Sequence, residues 1–279
     1  MSDHENDLLG VLGDAAGQLR VTRAGGVVTI EMHRPERRNA ISYAMWSAFG
    51  RLLPVLADDD AVEVVVLRGT PGGPFSAGAD ISEFQTLRST PESAARYGQA
   101  VEAGERALVE FPKPTVALVQ GWAVGGGTQV AVACDLRVCD TSSRFGVTPA
   151  KLGIVYALPS TARLVDVVGQ SWASFFLLTG ELVDASTALR VGLVHEVHEP
   201  DAVEDRAYAL AAVLASRARV SQVGAKHLLR RVSAGRRDVD EDVRAVYDRS
   251  LGGPEYAEGV AAFLAKRSPD FRGVRRPVR

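Results

Sequence analysis

The hydrophobic positions of this chain form two kinds of pattern, short continuous runs and longer runs with helical spacing. Two short β-branched runs flank Gly25-Gly26, which predicts a hairpin. The runs "VEVVVLRG" (62–69) and "TVALVQG" (115–121) are apolar almost without a break, which predicts strands that are covered on both faces. A helical run from Pro91 to Glu110 lies between them. This alternation of strands and helices predicts an α/β fold with crossover connections.

The pattern changes near residue 200. From there on the sequence shows amphipathic helical runs, such as "AVEDRAYALAAVLASRA", with no strand between them. A helical region of this size is typical of an extension that packs on the core or on another subunit. We therefore predict three parts: a flexible N-terminal extension (1–18), an α/β core (19–200) and a helical C-terminal region that serves oligomerisation (201–279).

The charge of the chain argues against two classes of partner. With 32 Lys and Arg against 34 Asp and Glu, the formal net charge is −2, so no overall positive field attracts nucleic acid or a membrane surface. No run reaches about 18 uninterrupted apolar residues, so no membrane-spanning helix is expected. The acidic start of the chain lacks the basic flank of a signal peptide, which favours a cytoplasmic protein. Cys134 and Cys139 have no Cys or His pair at metal-ligand spacing, so we expect buried, reduced thiols and no metal site.

Two glycine-containing loops, "FSAGAD" (75–80) and "VGGGT" (124–128), each follow a predicted buried strand. Glycine allows the backbone to pass close to a ligand, and a helix that begins at such a loop leaves its first N–H groups unpaired. Two such loops that meet would form an oxyanion hole, in which two N–H groups bind one oxygen atom. The other reading is that the glycines serve only tight turns and close packing.

Taken together and in order, six stretches resemble the crotonase superfamily, which is the enoyl-CoA hydratase/isomerase family. They are "RPERRNAIS" (34–42), "FSAGADISEF" (75–84), "KPTVALVQGWAVGGGTQVAVACD" (113–135), "FGVTPAKLG" (145–153), "LTGELVDASTALRVGLVHEV" (178–197) and "EGVAAFLAKRSPDF" (258–271). The resemblance covers about residues 20 to 272, which is nearly the whole chain. It implies a crotonase-type spiral of ββα units that ends in the helical region, assembled as a homotrimer or a dimer of trimers.

The resemblance also implies the ligand, an acyl-CoA thioester, with no cofactor beyond the coenzyme A of the substrate. By motif position, the N–H groups of Ala79 and Gly126 should bind the thioester oxygen. The residues that match CoA-facing positions of the family are Arg38, Ala40, Ala77, Asp80 and Ile81, together with Phe263 and Lys266 of this subunit or of a neighbouring one. A weakly acidic protein needs local cations to bind the phosphates of CoA, and these would be Arg37, Arg38 and Lys266.

The chain departs from the hydratase pattern at two positions. Hydratases of this family hold and activate one water with two glutamates, and the corresponding positions here are Gln129 and Pro149. An amide does not titrate near neutral pH, and proline has no side-chain donor or acceptor, so neither residue can do that work. The predicted oxyanion hole remains, and it would still stabilise a thioester enolate.

Decarboxylation of a malonyl-type thioester is the favoured reaction, because the departing carboxylate supplies the electrons and no base is required. The stretch "FGVTPAKLGIVY" (145–156) resembles the matching segment of methylmalonyl-CoA decarboxylases, in which a tyrosine at the position of Tyr156 helps to place the carboxylate. Gln129 and Tyr156 would orient that carboxylate, with Tyr156 as a neutral donor. The other reading of Tyr156 is a core aromatic residue with a satisfied hydroxyl. Ala79 departs from the decarboxylase pattern, which has histidine there, and matches the hydratases.

Three alternatives stay open. The first is an enoyl-CoA hydratase or isomerase whose acid or base has moved, for which Glu83 and Asp80 are the only nearby carboxylates that the sequence offers. Asp80 is also expected to cap the helix that begins there. The second is an acyl-CoA-binding trimer without turnover. The third is hydrolysis of a carbon–carbon bond in a diketone without CoA, against which the CoA-facing motifs "SAGAD" and "FLAKR" count.

Overall fold

The structure of the protein, a computed structural model, describes residues 10–275. Within these residues the strands are β1 (Leu19–Ala24), β2 (Val27–Met32), β3 (Val64–Gly69), β4 (Thr115–Val119), β5 (Trp122–Val124), β6 (Leu136–Asp140), β7 (Arg144–Gly146), β8 (Val183–Asp184) and β9 (Glu196–His198). Over the same range, one sheet has the order β1-β2-β3-β4-β6-β9 and a smaller one the order β5-β7-β8. Neighbours in the larger sheet pair in parallel, except for the antiparallel hairpin β1-β2.

The α-helices that lie wholly within the described residues are α1 (Tyr43–Asp58), α2 (Phe84–Leu87), α3 (Pro91–Glu110), α4 (Gly126–Ala133), α5 (Leu158–Thr179), α6 (Ala185–Arg190), α7 (Val203–Ala215), α8 (Arg219–Ser233), α9 (Glu241–Leu251), α10 (Pro254–Leu264) and α11 (Phe271–Val274). The backbone of α5 is interrupted at Gly169. The segments β1-β2-α1, β4-β5-α4 and β6-β7-α5 repeat one order, two strands and then a helix. The predicted α/β class with crossovers is therefore confirmed.

The central strands β3 and β4 are buried at every residue, as their unbroken apolar runs predict. Alternate side chains of a strand point to opposite faces. Val65 and Leu67 accordingly join the main core on one face of the sheet. Val64 and Val66 pack on the other face, in a cluster with Ala207 of α7. Covering both faces leaves the ends of the strands, and the loops that follow them, as the places where a ligand can approach.

Helices α1 and α3 pack closely, and a glycine makes this possible. Ser42 begins α1, since its Oγ accepts a hydrogen bond from the N–H of Met45. Gly104 of α3 faces α1 so closely that a Cβ there would lie 2.6 Å from the carbonyl oxygen of Trp46. The next residue along α3 is Glu105, which this packing holds in the interior with 5% of its surface exposed.

The described part of the predicted N-terminal extension is packed against the core. Leu12 and Ala15 are buried, and Arg51 of α1 donates hydrogen bonds to the carbonyl oxygens of Val11 and Leu12. Residues 10–18 therefore differ from the flexible extension that we expected, because apolar side chains among them reach the core. Residues 1–9 lie outside the described part of the chain.

The chain after residue 200 is helical, as predicted. Helices α7 to α11 follow β9, with no strand among the described residues up to 275. Glu255 at the start of α10 accepts hydrogen bonds from the N–H groups of Arg219 and Val220, which joins α10 to the positive end of α8. The role of this region in oligomerisation, and the boundary drawn at residue 200, stay predictions.

Both cysteines of the chain lie in the interior. Cys134 and Cys139 are free and buried, as predicted. Burial raises the pKa of each thiol to about 12, so both are protonated and unreactive near neutral pH. Across residues 10–275 the helices are too short or too polar to cross a membrane.

Candidate active site

The two glycine-containing loops meet at the start of α4. Gly78, in the first loop, has a φ of 105°, a conformation that glycine adopts without strain. A Cβ on Gly78 would lie 2.7 Å from the carbonyl oxygen of Val124 and 3.5 Å from the nitrogen of Gly126. A Cβ on Gly126 would lie 3.3 Å from the nitrogen of Ala79. The two backbones thus approach at a distance that larger side chains would prevent.

The N–H groups of Ala79 and Gly126 lie close together at this meeting point. The neighbours of Ala79 are fixed by backbone bonds, since the N–H of Ile41 donates to Gly78 O at 2.7 Å and the N–H of Asp80 donates to Ile41 O at 2.9 Å. Gly126 is the first residue of α4, where helix geometry leaves the N–H unpaired. Neither N–H has an acceptor among residues 10–275. Two free donors at the positive end of a helix are what an oxyanion hole requires.

A buried carboxylate, that of Glu105 in α3, is the centre of a second polar group. Its Oε2 accepts hydrogen bonds from Nε2 of Gln129 at 2.7 Å and from Oγ of Ser160 at 2.6 Å. Its Oε1 accepts from a guanidinium nitrogen of Arg163 at 2.6 Å, which makes an ion pair. Nε2 of Gln129 also donates to Oγ of Ser160 at 3.0 Å. Side chains from α3, α4 and α5 therefore form one connected network around Glu105.

Tyr156 lies beside this network and packs partly against the core. Burial raises the pKa of Tyr156, and the negative charge of Glu105 acts in the same direction. The phenol is therefore neutral at physiological pH and has an O–H to donate. A neutral phenol agrees with the expected role of Tyr156 as a neutral hydrogen-bond donor. The contact of Tyr156 with a substrate stays a prediction.

One cavity of about 550 Å³ joins the glycine loops to the glutamate network. Among the residues predicted from the sequence, those that line it are Ala77, Ala79, Ile81, Gly126, Gln129 and Tyr156. Glu105 and Ser160 line it as well, and so does Pro149, at the second position where hydratases have a glutamate. The structure thus brings the two free N–H groups and a buried carboxylate into the wall of one cavity.

Comparison with known proteins agrees with this geometry. A family model described as enoyl-CoA hydratase/isomerase matches residues 22–274. The chain belongs to this family. The 2,3-dehydroadipyl-CoA hydratase of Escherichia coli (strain K12) is 34% identical to this chain over 271 residues, which cover 92% of this chain and 99% of that protein.

A second relative and a solved structure support the same assignment. A putative enoyl-CoA hydratase of Thermus thermophilus is 37% identical over 253 residues, which cover 88% of this chain and 98% of that protein. The crystal structure of a putative enoyl-CoA hydratase/isomerase family protein from Hyphomonas neptunium matches with a TM-score of 0.88 at 33% identity, over 91% of this chain and 97% of that chain. The crotonase family and fold that the six motifs predict are thereby confirmed.

Arg38 and Ala40, which are predicted to face CoA, lie outside the wall of the cavity. The guanidinium of Arg38 lies over the ring of Trp122, 5.9 Å from its centroid. The carbonyl oxygen of Ala40 accepts a hydrogen bond from the side chain of Arg34. Both residues belong to the segment before α1, so a CoA group would have to leave the cavity on that side to reach them. Their contact with CoA stays a prediction.

The predicted tail residues lie away from the cavity of their own chain. Phe263 is at the end of α10 with 83% of its surface exposed, and Lys266 follows that helix with a positive φ of 51°. Neither lines the cavity. Within one subunit the structure therefore does not bring them to the site, and their contact with the nucleotide of a neighbouring subunit stays a prediction.

The two carboxylates that the sequence offered as a relocated base have other partners. Asp80 accepts a hydrogen bond from Arg34 at 2.8 Å and caps the following turn, as predicted. Glu83 accepts a hydrogen bond from the N–H of Tyr43 at 2.8 Å. Neither residue lines the cavity, whereas Glu105 does. The interpretation that Asp80 and Glu83 are the only nearby carboxylates was therefore wrong.

Glu105 is the residue that reasoning from the sequence missed, although a signal was present. It lies eight positions after Tyr97 and three before Leu108, and all three are buried positions of α3. A glutamate on the apolar face of a helix indicates a buried partner, because charged side chains are rarely buried unpaired. Its partners Gln129 and Ser160 are 24 and 55 positions away in the chain, so only the fold identifies them.

Proposed function

We propose that this protein is an enoyl-CoA isomerase, in which Glu105 moves one proton while the N–H groups of Ala79 and Gly126 bind the thioester oxygen. The observation that carries the proposal is the carboxylate of Glu105, which lines the same cavity as the two free N–H groups. One carboxylate is sufficient to carry one proton between two carbon atoms. Hydration by the family pattern would require two glutamates, at the positions of Gln129 and Pro149.

In this reaction Glu105 removes a proton from the α-carbon of a 3-enoyl thioester. The electron pair moves toward the carbonyl group, and the oxygen atom of the resulting dienolate carries a charge that the two N–H groups stabilise. The protonated Glu105 then returns its proton to the γ-carbon, which gives a 2-enoyl thioester of the same composition. Gln129 and Ser160 orient the carboxylate throughout, and Arg163 compensates its charge.

Decarboxylation of a malonyl-type thioester is the second candidate. The replacement of both family glutamates favours it, since decarboxylation needs no base. The glutamate network counts against it, because Nε2 of Gln129 and Oγ of Ser160 already donate to Glu105. A substrate carboxylate at this place would also meet the like charge of Glu105. Tyr156 would be the remaining donor for the substrate carboxylate, and one donor is too few for two neighbouring carboxylates. We therefore rank isomerisation first.

We also propose an acyl-CoA thioester as the substrate and a homotrimer or a dimer of trimers as the assembly. The relatives described above are named for CoA thioesters, which supports the substrate class. The exposed aromatic ring of Phe263 supports an assembly in which the C-terminal region meets another subunit.

The test compares three groups of substrates with the purified protein in deuterium oxide: 3-enoyl-CoA, 2-enoyl-CoA and malonyl-type CoA thioesters. An isomerase converts the first group into 2-enoyl products, in which the double bond has moved and the mass differs from that of the substrate only by exchanged deuterium. Gain of water by the second group would instead indicate hydration. Loss of carbon dioxide from the third group, without reaction of the first, would contradict the proposal in favour of decarboxylation.

Glu105→Gln is the decisive variant, because it removes the base and keeps most of the volume. We expect isomerisation to slow by about 10²–10⁴-fold. Glu110→Gln, on the exposed side of the same helix, is the matched control and should keep the wild-type rate. Glu105→Asp retains a carboxylate and should retain part of the activity, which keeps the test useful if the amide variant folds poorly. A folded Glu105→Gln variant with full activity would refute the assignment.

A further inference from the structure

Beyond the glycine loops, the cavity extends to α2 and the first half of α3, where Phe84, Arg88 and Tyr97 line it. Tyr97 is 2% exposed, and its hydroxyl has no hydrogen-bond partner among residues 10–275. A buried hydroxyl without a partner costs free energy, since it has lost its hydrogen bonds to water. Such a group in the wall of a binding cavity calls for a partner that comes with the ligand.

The guanidinium of Arg88 is a second unpaired polar group at the same place. It lies 4.4 Å from the ring centroid of Phe84 and 5.0 Å from that of Tyr97. In the part of the chain that the structure describes, it makes no ion pair and no side-chain hydrogen bond. Contact with aromatic rings leaves N–H donors of the guanidinium available, in the fork that suits a carboxylate.

The acidic side chains of the loop and turn that precede α2 do not neutralise Arg88. Asp80 is paired with Arg34, and Glu83 accepts a hydrogen bond from the backbone of Tyr43. Burial raises the pKa of Tyr97, and the charge of Glu83 acts in the same direction, so the phenol is a neutral donor. A free cation and a free O–H therefore face one end of the cavity.

We propose that Arg88 and Tyr97 bind a carboxylate at the far end of the acyl group, so that the substrates are CoA thioesters of dicarboxylic acids. The inference rests on the proposed function, since it assigns this cavity to the acyl chain. The guanidinium would bind the two carboxylate oxygens and the phenol would donate a further hydrogen bond. An acyl chain that ends in a methyl group would leave both groups without a partner.

The phosphates of CoA are the other anions that Arg88 could meet, and the cavity argues against them. Arg88 and Tyr97 line the same cavity as Glu105 and Gln129, where the reacting carbon atoms would lie. Arg38, by contrast, is predicted to face CoA and lies outside this wall. The end of the cavity at Arg88 is therefore assigned to the acyl group.

The test measures binding without turnover, by titration calorimetry with S-alkyl-CoA thioethers. Each pair of ligands has one chain length and ends either in a carboxylate or in a methyl group, and several lengths are compared. We expect the wild-type protein to bind the carboxylate member of the best pair roughly ten- to a hundredfold more tightly. Arg88→Gln should abolish that preference, and Tyr97→Phe should reduce it. Arg88→Lys, which keeps the charge and loses the fork, should give an intermediate value.

Arg96→Gln is the matched control, because it removes a positive charge one residue from Tyr97 on the exposed side of α3. It should keep the preference. Equal affinity for both members of every pair in the wild-type protein would overturn the inference. Equal weakening of both members by Arg88→Gln would overturn it too, since it would place Arg88 at the CoA phosphates.

The inference and the proposed function fail in different ways. Isomerisation is followed on two sets of 3-enoyl-CoA substrates, one that ends in a methyl group and one that ends in a carboxylate, so its detection does not depend on which end group the cavity binds. Absence of isomerisation together with a strong binding preference would remove only the isomerase assignment. Isomerisation by Glu105 without any binding preference would remove only the assignment of Arg88 and Tyr97.

Discussion

Replacing Gly126 by alanine tests the predicted oxyanion hole directly. A Cβ at this position would lie 3.2 Å from Cζ2 of Trp46 and 3.3 Å from the nitrogen of Ala79. Gly126 is not among the glycines with positive φ, so alanine can adopt its backbone conformation. The new methyl group would therefore act through the space it fills, which is the space in which two N–H groups would receive the thioester oxygen.

The contacts of the added methyl group determine how much activity Gly126→Ala should lose. Contacts of 3.2 and 3.3 Å are slightly too close, and neighbours that yield by a few tenths of an ångström relieve them without loss of the fold. The thioester oxygen and the added methyl group would still compete for the space between the two N–H groups. Loss of one oxyanion-hole donor costs about 3 kcal/mol. Since each 1.36 kcal/mol is a factor of ten in rate, we expect kcat of Gly126→Ala to fall about 100-fold.

The assay is exchange of the α-protons of a saturated acyl-CoA in deuterium oxide, because exchange reports the enolate itself. Gly50→Ala is the control, since a Cβ there would make ordinary contacts of 3.7 Å with Ala103. It should exchange at the wild-type rate. If Gly126→Ala keeps its circular dichroism and its Tm and also exchanges at the wild-type rate, the thioester oxygen does not bind between the N–H groups of Ala79 and Gly126.

Two further predictions concern the stability of the fold. Gly104→Ala would put a Cβ 2.6 Å from the carbonyl oxygen of Trp46, so we expect urea unfolding to show a loss of about 1–3 kcal/mol from overpacking. Burial lowers the pKa of Lys113 from 10.5 to about 8, so the unfolded chain binds more protons between these two pH values and stability should rise with pH across that window. Lys113→Met should remove this part of the increase in stability. Urea midpoints measured at both ends of the pH window test this, and an unchanged dependence of stability on pH in the variant would contradict the prediction.

The sequence predicts the scaffold of this protein well, because local pattern and tertiary role agree there. The helix expected from Pro91 to Glu110 has those bounds in the structure, and the run 62–69 contains β3, buried at every residue. Apolar runs and helical spacing report burial directly, and burial is what the fold must satisfy. The two glycine loops were found for a similar reason, since close backbone approach requires glycine wherever it occurs.

The carboxylate of the site was not predictable from the motifs, because it is not part of any of them. Glu105 lies in α3, between the stretch that carries Ala79 and the stretch that carries Gly126. Its place in the cavity depends on the packing of α3 against α1, which the sequence pattern does not specify. Gly104 permits that packing, and its importance becomes visible only when the two helices are seen together.

The carboxylate of Glu105 explains why position 129 carries an amide. Nε2 of Gln129 lies 2.7 Å from Oε2 of Glu105, so a glutamate at position 129 would bring two carboxylate oxygens to the distance of a hydrogen bond. Two ionised carboxylates so close repel each other, and one of them would have to hold a proton. An amide at position 129 removes the conflict and donates a hydrogen bond instead. Gln129 and Glu105 therefore form one unit, in which the charge that the family places on α4 is carried by α3.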